Sequence, residues 1–283
     1  MLIINITAPT PLDAAAAAAA RALLSCCNHA EALDLPITPQ VDPDSRVLLA
    51  HQGSDLVGVA QINFGPEAEA CLCVSPAWRR RGIGRRLAAA VRTHVASRVA
   101  GEPIFVSDAA AESGQAFATA LGAQIIYAEH RLSLDLAAVP PAPAHRPGLR
   151  IRLAGLADAD ELAAVLAAAF GDPLAMVQSF VTRRLAHPTN RFILGELDGR
   201  LAGSLRLIED AGWIYITTFG VRPDLHGRGV GRYLLMHTVG VLIANRQCRI
   251  RIEVETTNAS AQGLYESCGF RRDRTYTYLR MPG

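Results

Sequence analysis

Apolar positions recur along this chain at helical and at alternating spacing, and the rhythm changes at glycines and prolines. The chain opens on an apolar alternating stretch, Met1 to Ile6. The alanine run Ala14 to Ala20, with Asp13 before it and Arg21 after it, reads as a helix, neither a signal peptide nor a membrane span. Asp158 to Phe170 carries alanine and leucine at helical spacing, with Asp158 as candidate N-cap. Arg191 to Leu197 and Leu201 to Ile208 read as two strands joined by the turn Asp198-Gly199. The β-branched and aromatic run Trp213 to Val221 predicts a third strand. A helix is predicted from about Gly229 to Ala244, a strand over Arg249 to Val254, a helix from Ala259 to Cys268 stopped by Gly269, and a last strand over Arg274 to Met281. This order, helix, antiparallel strands, then strand-helix-strand-helix-strand, is an α/β (α+β) unit: a mixed, mostly antiparallel sheet with flanking helices.

The unit occurs twice. Arg79-Arg80-Arg81-Gly82-Ile83-Gly84-Arg85-Arg86-Leu87 is matched by His226-Gly227-Arg228-Gly229-Val230-Gly231-Arg232-Tyr233-Leu234, 147 residues later. Pro76 and Pro223 keep that offset, as do Gly122 and Gly269. Leu56-Val57-Gly58 and Leu201-Ala202-Gly203 are 145 apart, so a two-residue insertion lies between. The proline-dense segment Pro140 to Pro147 separates the copies, which divides the chain into modules 1–139 and 149–283 joined by a linker, 140–148.

Composition narrows the chemistry. Half of the 283 residues are hydrophobic, enough for two cores, and 28 basic against 26 acidic side chains leave a net charge of +2. No general field gathers nucleic acid or anionic membrane, so neither is an expected partner. All 28 cations are arginine. The six cysteines form no C-x-x-C pair and have no zinc-type spacing to histidine, so no metal is expected, and Cys71 and Cys73 read as buried thiols on one strand face. With no targeting segment, the cytoplasm is the expected compartment.

The glycine turn running into a helix leaves several backbone N–H groups without intrahelical acceptors, and the helix dipole adds positive charge to them. Such a turn cradles phosphate. A nucleoside-triphosphate loop requires Gly-Lys-Ser/Thr, and there is no lysine. A dinucleotide fold requires a third glycine where Leu87 and Leu234 stand, although Glu255 imitates its ribose acid, so an NAD-type oxidoreductase stays open as a minor alternative. A third candidate ligand is coenzyme A, to which a resemblance points. Arg79-x-x-Gly82-x-Gly84, and Gly229-x-Gly231 with His226 ahead of it, resemble the pyrophosphate motif of the GNAT superfamily of acyl-CoA N-acyltransferases. Ile252-Glu253-Val254-Glu255-Thr256-Thr257-Asn258 through Leu264-Tyr265-Glu266-Ser267-Cys268-Gly269-Phe270 resembles the same family, most closely the branch that acetylates the N-terminal alanine of a ribosomal protein. The tandem arrangement is similar to that of the mycothiol synthases, with a degenerate first copy. The acid that this branch carries on the motif strand has no clear counterpart, Tyr215 lying near its position, and His226 replaces the motif's Arg or Gln.

The resemblance implies an acetyl-CoA-dependent N-acetyltransferase that acts on a small-molecule amine or a peptide N-terminus. It assigns Glu253 as general base, with Glu255 as the alternative two residues along on the same strand face, and Tyr265 as the acid that protonates the leaving thiolate. Phe219 and Val221 at the strand end, the turn His226, Gly227, Arg228, Gly229, Val230, Gly231 and Arg232, and Asn258 are the implied coenzyme A contacts. A backbone N–H near Phe219 to Val221 is the implied oxyanion donor, with Gly220 permitting a bulge that splays two strands. Asn258 also reads as a helix cap. At the 147 offset the first copy has Val106 for Glu253, Ala111 for Asn258 and Ala118 for Tyr265, so it is expected to be non-catalytic. Its turn, Arg79, Arg81, Gly82, Ile83, Gly84 and Arg85, either still holds coenzyme A or only buttresses the second copy. A purely acyl-CoA-binding regulatory protein is the alternative to an enzyme. The acceptor pocket is expected from Phe170 to Asn190 and from the last strands around Tyr276 and Tyr278.

Overall fold

The computed structural model describes residues 3–39, 45–65, 67–99, 101–187, 189–210 and 212–282; Met1 and Leu2 of the opening stretch lie outside them. Two compact units divide the chain. The first is Met1–Glu129 with Arg274–Gly283, and the second is His130–Asp273. Compactness therefore does not follow the proline segment: residues 130–139 pack with the second unit and 274–283 with the first. The reason is two long strands, described below, each of which serves both units.

The first unit contains β1 (Asn5–Thr7), α1 (Ala14–Glu31), β2 (Ser45–Gln52), β3 (Asp55–Phe64), β4 (Ala68–Val74), α2 (Ile83–Ala96), β5 (Ile104–Asp108), α3 (Glu112–Ala120) and the start of β6 (Gln124–Leu134). Its sheet runs β1-β2-β3-β4-β5 and then takes the C-terminal part of β12 (Phe270–Arg280). Tyr276 to Arg280 pair antiparallel with Ile104 to Asp108. β1 through β4 are antiparallel neighbours, and β4 and β5 run parallel. Alternation along β2 splits its side chains between faces: Val47 and Leu49 pack with α1, whereas Leu48 and Ala50 pack with α2. Cys71 and Cys73 are buried on the α1 face, and burial pushes the Cys71 thiol up to about 12. α1 starts where the sequence places it, with Asp13 accepting from the Ala16 amide at 2.7 Å, and continues past the alanine run to Glu31.

The second unit contains the end of β6, β7 (Leu149–Leu153), α4 (Ala159–Phe170), α5 (Leu174–Leu185), β8 (Asn190–Leu197), β9 (Arg200–Asp210), β10 (Trp213–Val221), α6 (Val230–Ala244), β11 (Ile250–Glu255), α7 (Ala259–Ser267) and the start of β12. Its strands order β6-β11-β10-β9-β8-β7, with β10 and β11 parallel and β7 to β10 antiparallel. Asp198 and Gly199 both take positive φ, as the hairpin turn requires. Phe192 and Leu194 face α4 and α5; Ile214, Ile216, Ile250 and Ile252 face α6 and α7. Asp158 does not cap α4 with its side chain. Its carboxylate accepts from the Gly155 amide at 2.7 Å and from both Arg152 Nη atoms at 2.6 and 2.8 Å, and Arg152 holds it below the usual carboxylate range. Tyr276 and Tyr278, expected at the second module's acceptor pocket, belong instead to the first unit, where they are buried beside Ile104.

Two features fix stability. Gly269 ends α7 at φ 95°, and a Cβ there would lie 2.9 Å from the Val139 Cα; at the matching Gly122 the nearest atom is Pro282 Cγ at 3.6 Å. Gly269→Ala is therefore expected to cost about 3 kcal/mol or more, strain plus a backbone clash, and Gly122→Ala about 1 kcal/mol, measured by denaturant unfolding. In the first unit Glu31, at the end of α1, accepts from the Ser113 amide at 3.0 Å and hydroxyl at 2.6 Å and from the Arg79 guanidinium, tying α1 to the start of α3. Burial raises its pKa, but the Ser113 and Arg79 contacts outweigh this and hold the carboxyl below its ordinary value. The carboxylate thus contributes stability above the unfolded pKa of about 4.3, which is lost as pH falls through the lower folded value. Glu31→Gln is expected to cost about 1 to 2 kcal/mol at pH 7, with the gap to the parent protein closing in unfolding curves taken at progressively lower pH below about 4.

Candidate active site

The two glycine-rich turns share one backbone course. In the second unit a single 3-10 turn, Pro223–Leu225, leads to His226, then Gly227 at φ 71° and Gly229 at φ 74°, and α6 starts at Val230. In the first unit Pro76–Trp78 leads to Arg79, then Arg80 at φ 62° and Gly82 at φ 80°, and α2 starts at Ile83. Left-handed residues thus stand at matching positions 147 apart, and each turn delivers the open N-terminus of a helix. A Cβ at Gly227 would meet nothing within 4 Å, so this side of the turn is open to a ligand. Donors without helical acceptors, helix charge and room for close approach together fit a phosphate.

Ahead of each turn a parallel strand pair comes apart. β4 and β5 pair at Glu69–Ala70 with Ile104–Phe105, and β10 and β11 at Ile214–Ile216 with Ile250–Ile252. Beyond those steps no ladder joins them among the described residues, although β4 and β10 continue to Val74 and Val221. The expected bulge is present: β10 advances three residues from Thr217 to Gly220 while β9 advances two, with Thr218 at φ 46°. A Cβ at Gly203 would lie 2.7 Å from the Gly220 carbonyl oxygen, so this close backbone approach requires glycine.

Several of the residues singled out in the sequence meet around the second opening. The His226 Nε2–H donates to the Val221 carbonyl at 2.9 Å, tying the turn to the strand end. Phe219 stacks on Tyr265 with centroids 6.1 Å apart, and its ring lies 3.6 Å from a Cβ built on Gly231. Tyr265 is buried, and that burial, followed by the nearby Cys268, pushes its phenol well above the ordinary value, which keeps it protonated. Asn258 accepts from the Ala261 amide at 3.0 Å and caps α7. Arg232 donates to the Ser267 hydroxyl at 2.5 Å and carbonyl at 3.0 Å. Glu253 stands apart from this group. Ile252 and Val254 face Tyr265 in the core, so alternation along β11 directs Glu253 and Glu255 to the other sheet face, where both are exposed. The strand opening therefore has a phenol on one face and carboxylates on the other. On the carboxylate face, next to them, lie Tyr215 and the buried Arg251, whose Nη1 donates to the Tyr215 hydroxyl at 3.2 Å and whose guanidinium lies 3.6 Å from the Trp213 centroid. Arg251 has no motif spacing and escapes sequence reading.

The first unit has a cavity of about 390 Å³ in its own strand opening. Val106, Ala111 and Ala118 line it, together with Gly82 and Gly84 of the turn, so the positions matching Glu253, Asn258 and Tyr265 present only apolar surface. Arg79, the motif arginine, also lines the cavity, but its Nε donates to Val74 O at 3.2 Å and its Nη1 pairs with Glu31. Among the described residues no group of three or more His, Cys, Asp or Glu side chains is placed to hold a metal ion, and no helix is long and apolar enough to cross a membrane.

Comparison with known proteins agrees with this geometry. The acetyltransferase (GNAT) family model matches residues 160–270, and a second acetyltransferase (GNAT) domain model matches 43–130. A mycothiol acetyltransferase of Clavibacter sepedonicus is 31% identical over 89% of this chain and 89% of its own length. A putative ribosomal protein bS18 alanine N-acetyltransferase of Bacillus subtilis is 29% identical over 43% of this chain and 80% of its own. Among solved structures, a GCN5-related N-acetyltransferase from Sphaerobacter thermophilus shares the fold at TM-score 0.75 and 20% identity, covering 99% of this chain and 96% of that one. A tandem GNAT protein from the clavulanic acid biosynthesis pathway does so at 0.75 and 19%, covering 98% of each. The dinucleotide oxidoreductase and the purely regulatory alternatives fall with these findings. The chain belongs to the GNAT acetyltransferases and is an N-acetyltransferase.

Proposed function

We propose that the second unit transfers an acetyl group from acetyl-CoA to a primary amine and that the first unit is non-catalytic. The observation that carries this reading is the contrast at matching positions: Glu253, Asn258 and Tyr265 in the second unit, Val106, Ala111 and Ala118 in the first. Bound acetyl-CoA supplies an activated thioester. The turn Gly227 to Arg232 holds its diphosphate through backbone N–H groups, and the unpaired edge of β10 from Phe219 to Val221 holds the pantetheine arm and offers an N–H to the developing oxyanion. An amine of reference pKa about 8 to 10 is mostly protonated at neutral pH and must lose a proton to attack. Glu253 accepts that proton, directly or through water, from the exposed face. Tyr265, kept neutral by burial, donates a proton to the departing thiolate from the opposite face.

For the acceptor, a small-molecule amine is the better supported class. The mycothiol acetyltransferases align along both copies, whereas the alanine acetyltransferase covers 43% of the chain, one copy's worth. The first unit's cavity and intact turn support retention of coenzyme A without turnover.

Tyr265→Phe is expected to lower kcat about 10²-fold or more with the KM for acetyl-CoA little changed, in a steady-state assay of coenzyme A release; unaltered kcat removes Tyr265 as the acid. Glu253→Gln is expected to lower kcat to a similar degree and Glu255→Gln to leave it near the parent value. The reverse pattern moves the base to Glu255. Calorimetric titration with acetyl-CoA is expected to give two sites per chain. Gly231→Trp removes one site together with turnover, and Gly84→Trp, which fills the space beside Phe117, removes the other and leaves turnover intact.

A further inference from the structure

The segment 139–148 has no regular secondary structure, yet its end is tightly held. Arg146-Pro147-Gly148-Leu149 forms a turn in which the Leu149 amide donates to Arg146 O at 3.2 Å, with proline second and Gly148 third at φ 77°. The Asp198 amide donates to Gly148 O at 2.8 Å, which anchors the turn on the β8–β9 hairpin. Arg146 is thereby aimed at the phosphate turn: its Nη1 donates to Arg228 O at 2.5 Å and lies 3.5 Å from a Cβ built on Gly229. Arg228 O sits between the two left-handed glycines, so the guanidinium lies on the rim of the anion cradle.

Apart from Arg228, the cations near this turn are committed elsewhere. Arg232 is bonded to Ser267, Arg222 is paired with Asp224, and the His226 ring holds Val221 O. Arg146 bonds the Arg228 carbonyl and has no carboxylate partner among the described residues. A diphosphate in the cradle meets helix N–H groups, Arg228 and a guanidinium whose backbone is already fixed, so little entropy is lost in using it. Arg146 lies outside the repeat and serves only the second unit.

We propose that Arg146 is a phosphate-positioning residue of the second unit's donor site, which binds the phosphates of the acyl thioester donor. The proposal rests on the preceding reading of that site as the catalytic one. Arg146→Ala is expected to raise the KM for acetyl-CoA about tenfold with kcat unchanged, and Arg146→Lys to recover part of the loss. With S-acetylpantetheine, which lacks the diphosphate and the adenosine phosphates, parent and Arg146→Ala are expected to have equal kcat/KM. An equal loss with both donors makes Arg146 a strut for the turn and overturns the proposal, as does an unchanged KM for acetyl-CoA. Turnover by the parent that disappears in Gly84→Trp and survives in Gly231→Trp overturns the underlying reading instead.

Discussion

Everything at this site depends on a helix that begins with nothing to bond to. In each unit two left-handed residues, Gly227 and Gly229 or Arg80 and Gly82, turn the chain so that the first amides of α6 or α2 face outward without acceptors. The cost of leaving such donors unmade is recovered when a phosphate fills the cradle. The strand opening lies beside the same turn. A parallel pair that stayed zipped would fill the gap with its own ladder, whereas β10 ends its pairing with β11 at Ile216 and the bulge at Thr218 re-aims its last residues. The Gly203–Gly220 approach that permits the bulge is a packing demand, and it explains a glycine that no phosphate argument requires.

The two copies share the backbone of this device and differ in its side chains. The first keeps the proline-led 3-10 turn, the left-handed pair, the short parallel ladder and a cavity, but its motif arginine is turned to Glu31 and the positions matching Glu253, Asn258 and Tyr265 are apolar. Where Asn258 caps α7 in the second copy, Ala111 stands, and the start of α3 is served instead by Glu31 from α1. A helix start still needs an acceptor when its local cap is gone. The first copy takes one from another element, and the same carboxylate also holds Arg79.

Local grammar was readable in the sequence, and long-range partnership was not. The helix at the alanine run, the Asp198-Gly199 hairpin, the bulge beside Gly220 and the burial of Cys71 and Cys73 all follow from residue types at short spacing, and the structure has each of them. Asp158 misled because its carboxylate had a stronger local bidder: Arg152, six residues back, offers two charged donors where α4 offers neutral amides. Tyr276 and Tyr278 were misplaced for another reason. Alternation says which face of a strand a tyrosine occupies, but not which sheet the strand joins, and β12 changes units between Asp273 and Arg274. Arg146 and Arg251 carry no motif; their positions come from a turn and a strand pairing that only the folded chain reveals.

That strand crossing ties each core to the sequence of the other copy. Leu279 and Met281, encoded at the end of the second copy, are buried in the core of the first unit, and Leu132, encoded near the end of the first, is buried in the core of the second. Each core thus depends on apolar side chains from the other copy's sequence. At about 1.5 to 3 kcal/mol for each fully buried aliphatic side chain, losing these contributions removes a sizeable part of the 5 to 15 kcal/mol that typically holds a domain folded. The first copy carries Val106, Ala111 and Ala118 where the second has Glu253, Asn258 and Tyr265, and Ala118 is buried in its core as Tyr265 is in the other. Its sheet is bound to the other copy's sequence, since Leu279 of β12 and Met281 just past it are buried in its core.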